Sequence, residues 1–445
     1  MKDPRRHSVQ RSLELYAKAQ RIIPGATQLI SRRPYIFSDG VAPIYATRGK
    51  GSRIWDVDGA QYVDYGMSVS ACILGYADDV VDEAVKRRIS DGMIFSLNSE
   101  LELELAELLI RRIPCAEMVR YAKGGSDACG VAVRIARGTT GRDVVLFSGY
   151  HGWHDWYIAA NLDRRDVLAG HCIPGIEPLG VPKALRGTAF PFPYGDVAAL
   201  ERLLEQHRGQ VACIIMEPMR AEWPPAGYLQ AVRALASREH VILIFDEVTT
   251  GFRFAATGLQ EVLGVVPDMA IYAKSMSNGY PMGAVMGKRW AMEPAARMFV
   301  SSTYWSDLVG ISAAIAALTE IERRDVPGAL RAYGERLESG LREVLDEVEL
   351  PLRIFGPPQQ LSLLFEGPDI AGVTNKHWAL VAQEMAKRGV LFTTHPKHCA
   401  AHTGPDLGIT LEAFREALIV TRDAIAANSV DTVLEAKLET PVLHR

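Results

Sequence analysis

Paired cysteine chemistry is missing from this chain. Its six cysteines (Cys72, Cys115, Cys129, Cys172, Cys213 and Cys399) are scattered over 445 residues without a C-x-x-C pair. That spacing argues against a disulfide framework and for reduced, packed thiols. No stretch approaches the roughly 18 consecutive apolar residues of a spanning helix. Charge of one sign is missing too: 49 basic against 53 acidic residues leave a net charge of -4. No bulk field therefore draws in nucleic acid or an anionic membrane. Internal repeats and low-complexity tracts are absent. The charged start is followed by Val9–Lys18, which patterns as an amphipathic helix and not as the apolar core of a signal peptide. A cytoplasmic protein is expected. What remains is ordinary globular composition, 48% hydrophobic and 23% charged, with length for about two or three domains.

Two short alternating runs flank Asp58-Gly59 within Gly51–Asp64 and predict a hairpin. From about Glu100 to Ala317, helical patterns such as Asp127–Gly138, Val197–Gln206 and Leu229–Arg238 alternate with apolar runs. This predicts a large α/β domain with a mainly parallel sheet. After Arg323 a long charged helix runs through Val348, followed by a turn at Gly356-Pro357-Pro358. The expected organisation is an N-terminal segment at 1–70 packing with the small domain, a large domain at 71–322 and a small α+β domain at 323–445.

Three residues each sit just past an apolar run: Glu217 after Val211–Met216, Asp246 after Val241–Phe245, and Lys274 after Met269–Ala273. Continuous apolar runs read as buried parallel strands, and ligands of such sheets bind at the carboxyl ends. An acid and a lysine placed there suit pyridoxal phosphate, which needs a Schiff-base amine and an acidic partner for its ring nitrogen. Taken singly, the acid also suits a cap or a metal, and the lysine a snorkelling surface chain.

Two further segments fit the same ligand. Lys123-Gly124-Gly125-Ser126-Asp127 precedes a helix, so its free N–H groups and the Ser126 hydroxyl suit a phosphate, although taken alone the turn reads first as a plain N-cap. Tyr150, in Ser148-Gly149-Tyr150-His151-Gly152, suits stacking on a planar ring, or simple packing.

Together these segments resemble the class III pyridoxal-phosphate aminotransferases, and within them the branch containing glutamate-1-semialdehyde aminomutase. The likeness extends from Pro24-Gly25 and Trp55-Asp56-Val57-Asp58-Gly59 into the C-terminal domain; Asp246-Glu247-Val248 with Thr250-Gly251-Phe252-Arg253, spaced before Ala273-Lys274, carries most of it. The resemblance implies a type I aminotransferase fold with pyridoxal 5'-phosphate as cofactor. It implies an aldimine at Lys274, Asp246 on the ring nitrogen, Tyr150 stacked on the ring, and Gly125 and Ser126 on the phosphate. Glu217 matches a position near the ring. Thr303, in Ser301-Ser302-Thr303-Tyr304-Trp305, matches a threonine that reaches the phosphate of the neighbouring subunit, which implies a homodimer with shared active sites.

Three departures stand out. The family's Asn-Ser-Gly-Thr-Glu loop reads Lys123–Asp127, its Gly-Asn-Pro is replaced by Ser306-Asp307-Leu308, and Thr249 replaces a Gln that bonds the cofactor's phenolic oxygen.

The implied reaction moves an amino group from a small-molecule donor to an aldehyde or ketone acceptor through a pyridoxamine form, within a biosynthetic pathway. The alternative is an intramolecular aminomutase. Arg32 matches the aminomutase carboxylate-binding arginine by position, although Leu29–Pro34 fits a solvated arginine pair as well. Trp153, in Trp153-His154-Asp155-Trp156-Tyr157, suggests a pocket wall for a keto- or aldehydo-sugar, or a structural run. The His395–His402 segment has metal-like His/Cys spacing, but a loop at the active-site mouth is the expectation and no metal is expected.

Overall fold

Alternate residues of the apolar runs face opposite sides of one sheet, and both sides are covered. The computed structural model describes residues 7–172, 174–366 and 376–438. The described residues divide into two units: Asp79–Pro327, and those up to Asp78 together with those from Gly328 to Leu438.

The Asp79–Pro327 unit is built on seven strands: β1 (Met118–Ala122), β2 (Val144–Ser148), β3 (Ala189–Pro191), β4 (Val211–Met216), β5 (Ile242–Asp246), β6 (Met269–Tyr272) and β7 (Gly283–Gly287). Their order is β1-β7-β6-β5-β4-β2-β3. The run from β6 to β3 is parallel throughout, while β7 lies antiparallel to both β6 and β1. This is the mainly parallel sheet expected. On one face Val145, Phe147, Cys213, Ile215, Ile244 and Ile271 meet Val131, Ala132 and Ile135 of helix α1 (Gly125–Thr140). On the other, Leu146, Ile214, Leu243 and Phe245 meet Leu200, Leu204, Leu229 and Val232 of the helices Val197–Gln206 and Tyr228–Arg238. Side chains alternate along a strand, so two covered faces demand apolar residues at every position, and the sequence shows such runs. The Val197–Gln206 helix starts where the Asp196 carboxylate accepts the Ala199 N–H at 2.8 Å.

In the other unit, Arg53–Asp56 and Gln61–Asp64 form the expected antiparallel hairpin. Asp56 Oδ1 accepts the N–H groups of Asp58 (3.0 Å) and Ala60 (2.8 Å) across its turn. Ala46–Lys50 extends this sheet on one side and Val390–Leu391 on the other, so distant parts of the chain share it. A second hairpin pairs Leu352–Phe355 with Ser362–Phe365. Leu337 and Leu341 of the helix Val326–Val348 pack with Phe414 and Leu418 of the helix Gly404–Ala426 in its core. Among the described residues no helix is long and apolar enough to cross a membrane.

Ile244 is fully buried in β5, the central strand of the seven, with a parallel neighbour on each side. Ile244→Ala is expected to cost about 2–5 kcal/mol of stability, read as a lower urea midpoint. Val262→Ala, at a half-exposed position, should move it by less than about 0.5 kcal/mol.

Candidate active site

Strand register brings the three residues singled out above to one edge. Ser148 pairs with Met216, Met216 with Phe245, and Asp246 with Ile271. Tyr150, Glu217, Asp246 and Lys274 therefore leave adjacent strands at their carboxyl ends, about 4.8 Å from strand to strand.

Lys274 opens a short 3₁₀ turn, Lys274–Ser277, with φ at +41°. That left-handed value is strained for a residue with a Cβ, at about 1–3 kcal/mol. Its Nζ donates to Thr249 Oγ1 at 2.9 Å. Burial holds the ammonium below the usual lysine pKa; the charges of Asp246 and Glu217 oppose this, and that of Arg253 adds to it. Relative to a surface lysine, more of this amine is neutral and nucleophilic. Thr249, the departure from the family glutamine, thus partners the lysine.

The Asp246 carboxylate is buried and its bonding is divided between its two oxygens. Oδ1 accepts the Val248 N–H at 3.0 Å. Oδ2 lies 2.7 Å from His151 Nδ1 and 3.4 Å from Cys129 Sγ. The thiol, imidazole and carboxylate atoms all lie within 4.8 Å of one another, and hydrogen bonds account for their closeness. His151 and Cys129 were not among the expected site residues. A sequence signal existed for both: His151 directly follows Tyr150, and Cys129 lies one helical turn beyond Gly125 on α1.

Glu217 Oε2 accepts the Tyr150 N–H at 3.2 Å, and Arg220 Nε stands 3.5 Å from the same oxygen. Burial raises the Glu217 carboxyl above its usual pKa, Asp246 adds to the rise, and His151 and Arg220 oppose it. The approach requires glycine at 149, where φ is +120° and a Cβ would lie 2.4 Å from Oε2. The Tyr150 ring is half exposed and meets Tyr157 edge-on, with centroids 6.1 Å apart.

At the start of α1, Gly125 and Ser126 form the first turn. Ser126 Oγ accepts the Trp153 N–H at 3.1 Å and lies 2.8 Å from His154 Nδ1. Of the aromatic run, Trp153 is exposed whereas Trp156 and Tyr157 are buried. Thr303 is exposed at the head of the turn Thr303–Ser306.

Arg32 belongs to the other unit. Its Nη2 donates to Ser68 Oγ at 3.4 Å, in a turn where Met67, Ser68, Val69 and Ser70 all have positive φ. The histidine-rich segment is also in that unit and is bonded locally. His395 Nδ1 lies 2.9 Å from Ser362 Oγ, His398 Nε2 donates to the Leu330 carbonyl at 2.8 Å, and His402 Nδ1 accepts the Cys399 N–H at 3.1 Å.

The model of the family "Aminotransferase class-III" matches residues 36–423. A 3-aminobutyryl-CoA aminotransferase of Cloacimonas acidaminovorans is 36% identical over 418 residues, covering 92% of this chain and 96% of the relative. A glutamate-1-semialdehyde 2,1-aminomutase of Methanothermobacter thermautotrophicus is 34% identical, covering 92% of this chain and 99% of its own. The solved structure of the FumI protein of Sphingopyxis sp. MTA144, in its PLP internal aldimine form, superposes with a TM-score of 0.84 at 27% identity. It covers 94% of this chain and 98% of that one.

Because burial lowers the folded pKa of Lys274 below the unfolded value of about 10.4, the unfolded chain binds more protons between the two values. Stability is then present above the unfolded value and lost as pH falls through the folded one. The urea midpoint of the cofactor-free protein should rise with pH toward about 10, and the rise should shrink in Lys274→Met. Equal slopes would mean that the amine titrates as it does in water.

Proposed function

The chain belongs to the class III aminotransferases, and from that premise we propose that it transfers an amino group from a small-molecule donor to an aldehyde or ketone acceptor. The observation that carries this reading is the buried Lys274 amine, its pKa lowered by burial, acted on by the Asp246 carboxylate from the neighbouring strand end.

Enzymes of this class use pyridoxal phosphate, and the donor set fits it. A desolvated amine suits attachment to an aldehyde. Asp246 is a buried carboxylate whose Oδ2 is engaged by His151 and Cys129, and its Oδ1 has a second lone pair beyond the one taken by Val248. The first turn of α1, with Gly125 and Ser126, offers N–H groups and a hydroxyl to a phosphate.

When bound, the cofactor supplies an aldehyde that takes up the amino group and a ring that stores the electron pair of a broken C–H bond. Lys274 would hold that aldehyde in the resting protein and would be freed when a donor amine takes its place. The freed Nζ then takes the proton from the donor's amine-bearing carbon, as general base, and later delivers one as general acid. Asp246 keeps a proton on the ring nitrogen, and His151 and Cys129 hold the carboxylate in place for this. Tyr150 would cover one ring face and Glu217 would stand near the ring, while Thr249 receives the lysine amine when it is free. With the cofactor bound, the site would have to admit one water for the keto product to be freed.

The proposal extends to a cytoplasmic homodimer in a biosynthetic pathway, with Thr303 reaching the phosphate of the neighbouring subunit. Arg32 and Trp153 are its substrate-facing residues. A keto- or aldehydo-sugar acceptor was suggested by the aromatic run, but burial of Trp156 and Tyr157 reduces that wall to Trp153 and its polar neighbours. The Cloacimonas relative's name adds 3-aminoacyl thioesters and their 3-oxo counterparts as a substrate class to screen. An intramolecular aminomutase is the second reading, supported by the likeness to the Methanothermobacter enzyme over 99% of its length and by the position of Arg32.

Two measurements test this. Lys274→Ala should lower turnover by at least about a thousandfold, and borohydride reduction of the wild-type holoenzyme should place the label on the peptide containing Lys274. A label elsewhere would sink the assignment. Donor nitrogen marked with a heavy isotope should appear in a different molecule; its return only to the original carbon skeleton would decide for the mutase.

A further inference from the structure

The imidazole of His154 is tied to the same hydroxyl that the proposed function gives to the cofactor phosphate. Its Nδ1 lies 2.8 Å from Ser126 Oγ, and its Nε2 lies 3.8 Å from Asp127 Oδ1. The ring thus bridges consecutive residues in the first turn of α1. A further contact fixes its plane. The Trp153 indole stacks on it with centroids 4.6 Å apart and planes 21° off parallel, and Gly130 lies beside the ring, where even a Cβ would be in ordinary contact at 3.6 Å. The chain leading to His154 is wrapped closely around Ser126 as well. Trp153 N–H donates to Oγ at 3.1 Å. At Gly152, where φ is +100°, a Cβ would lie 2.1 Å from the same oxygen.

A serine hydroxyl has one proton and two lone pairs. The Trp153 N–H occupies one lone pair. With a proton on Nδ1, His154 occupies the other, and the Ser126 proton is left to point outward. With Nδ1 bare, the serine proton is spent on the imidazole and a phosphate oxygen would face a lone pair instead. A phosphate oxygen offers lone pairs and no proton, so the tautomer with the proton on Nδ1 is the one that leaves the Ser126 O–H for it.

We propose that His154 is a positioning residue of the phosphate cradle, donating through Nδ1 to Ser126 Oγ so that the Ser126 O–H is presented to a phosphate oxygen of the cofactor. The inference rests on the assignment of Ser126 to that phosphate.

The test compares two aldehydes that differ only in the group concerned. The full-length protein, stripped of cofactor, is titrated with pyridoxal phosphate and separately with pyridoxal, following the absorbance of the bound aldehyde. His154→Ala should weaken pyridoxal phosphate by about tenfold, the scale of one charge-assisted hydrogen bond, and leave pyridoxal within about twofold. His154→Asn, whose amide nitrogen stands near the position of Nδ1 and donates, should recover most of the loss. In a Ser126→Ala background, His154→Ala should cost nothing more. An equal loss for both aldehydes marks a merely structural histidine and overturns the proposal, as do additive losses in the double variant or no loss at all. If the wild-type protein binds neither aldehyde, the cofactor assignment itself falls.

Discussion

Keeping a lysine amine out of water, within reach of two carboxylates, is the constraint around which the site is organised. An unpaired buried ammonium is costly and responds by giving up its proton. Here desolvation pushes Lys274 in that direction while Asp246 and Glu217 push back. The net effect lowers the pKa of the amine, as suits the attachment and proton-carrying roles proposed for it. Burial together with Asp246 raises the Glu217 carboxyl, whereas Asp246 gathers donors from Val248, His151 and Cys129. Two acids at adjacent strand ends are thus placed in different environments, Asp246 among three donors and Glu217 with its carboxyl pushed toward the protonated form.

The scaffold explains why these groups stand where they do. The parallel strands, covered on both faces, leave no place for charge along their length, so ionisable side chains emerge at the strand ends. The chain must also leave Lys274 quickly. Only residues 273–282 separate β6 from β7, too few for the crossover of a dozen or more residues that a parallel neighbour needs. β7 accordingly turns back antiparallel beside β6, the one reversed strand of the sheet. The tight exit agrees with the left-handed backbone at Lys274 and again at Asn278, where φ is +49°. Strain here is the consequence of placing a lysine at the mouth of a short return.

The parts of this arrangement that were legible in the sequence are those set by local pattern. Apolar runs announced β4, β5 and β6, and with them the positions of Glu217, Asp246 and Lys274. Asp58-Gly59 announced the hairpin turn. What could not be read was pairing across long separations. Cys129 lies 117 positions from Asp246 and His151 lies 95, so no local period links them. Thr249 was visible as a departure from the family glutamine, yet its bond to Lys274 depends on how two loops meet. Trp156 and Tyr157 misled in the opposite way: aromatic residues beside a polar pair suggested a pocket wall, and packing against Phe147 took both rings into the core.

Two other departures from the family pattern, separate in sequence, turn out to be one feature. Lys123 stands where the family has asparagine before the phosphate loop, and Asp307 lies in the stretch that replaces Gly-Asn-Pro. In the structure Lys123 Nζ meets Asp307 Oδ2 at 2.5 Å, with both side chains largely withdrawn from solvent. The other oxygen of Asp307 accepts the Val309 N–H at 2.9 Å and caps the helix Leu308–Arg323. Removing either partner alone would leave a partly buried charge behind, the costlier outcome for such pairs. The two substitutions therefore make physical sense together and little sense apart. Their ion pair fastens the loop that opens α1 to the short segment four residues after Thr303, so the two stretches assigned to phosphate contacts are braced against each other within a single chain.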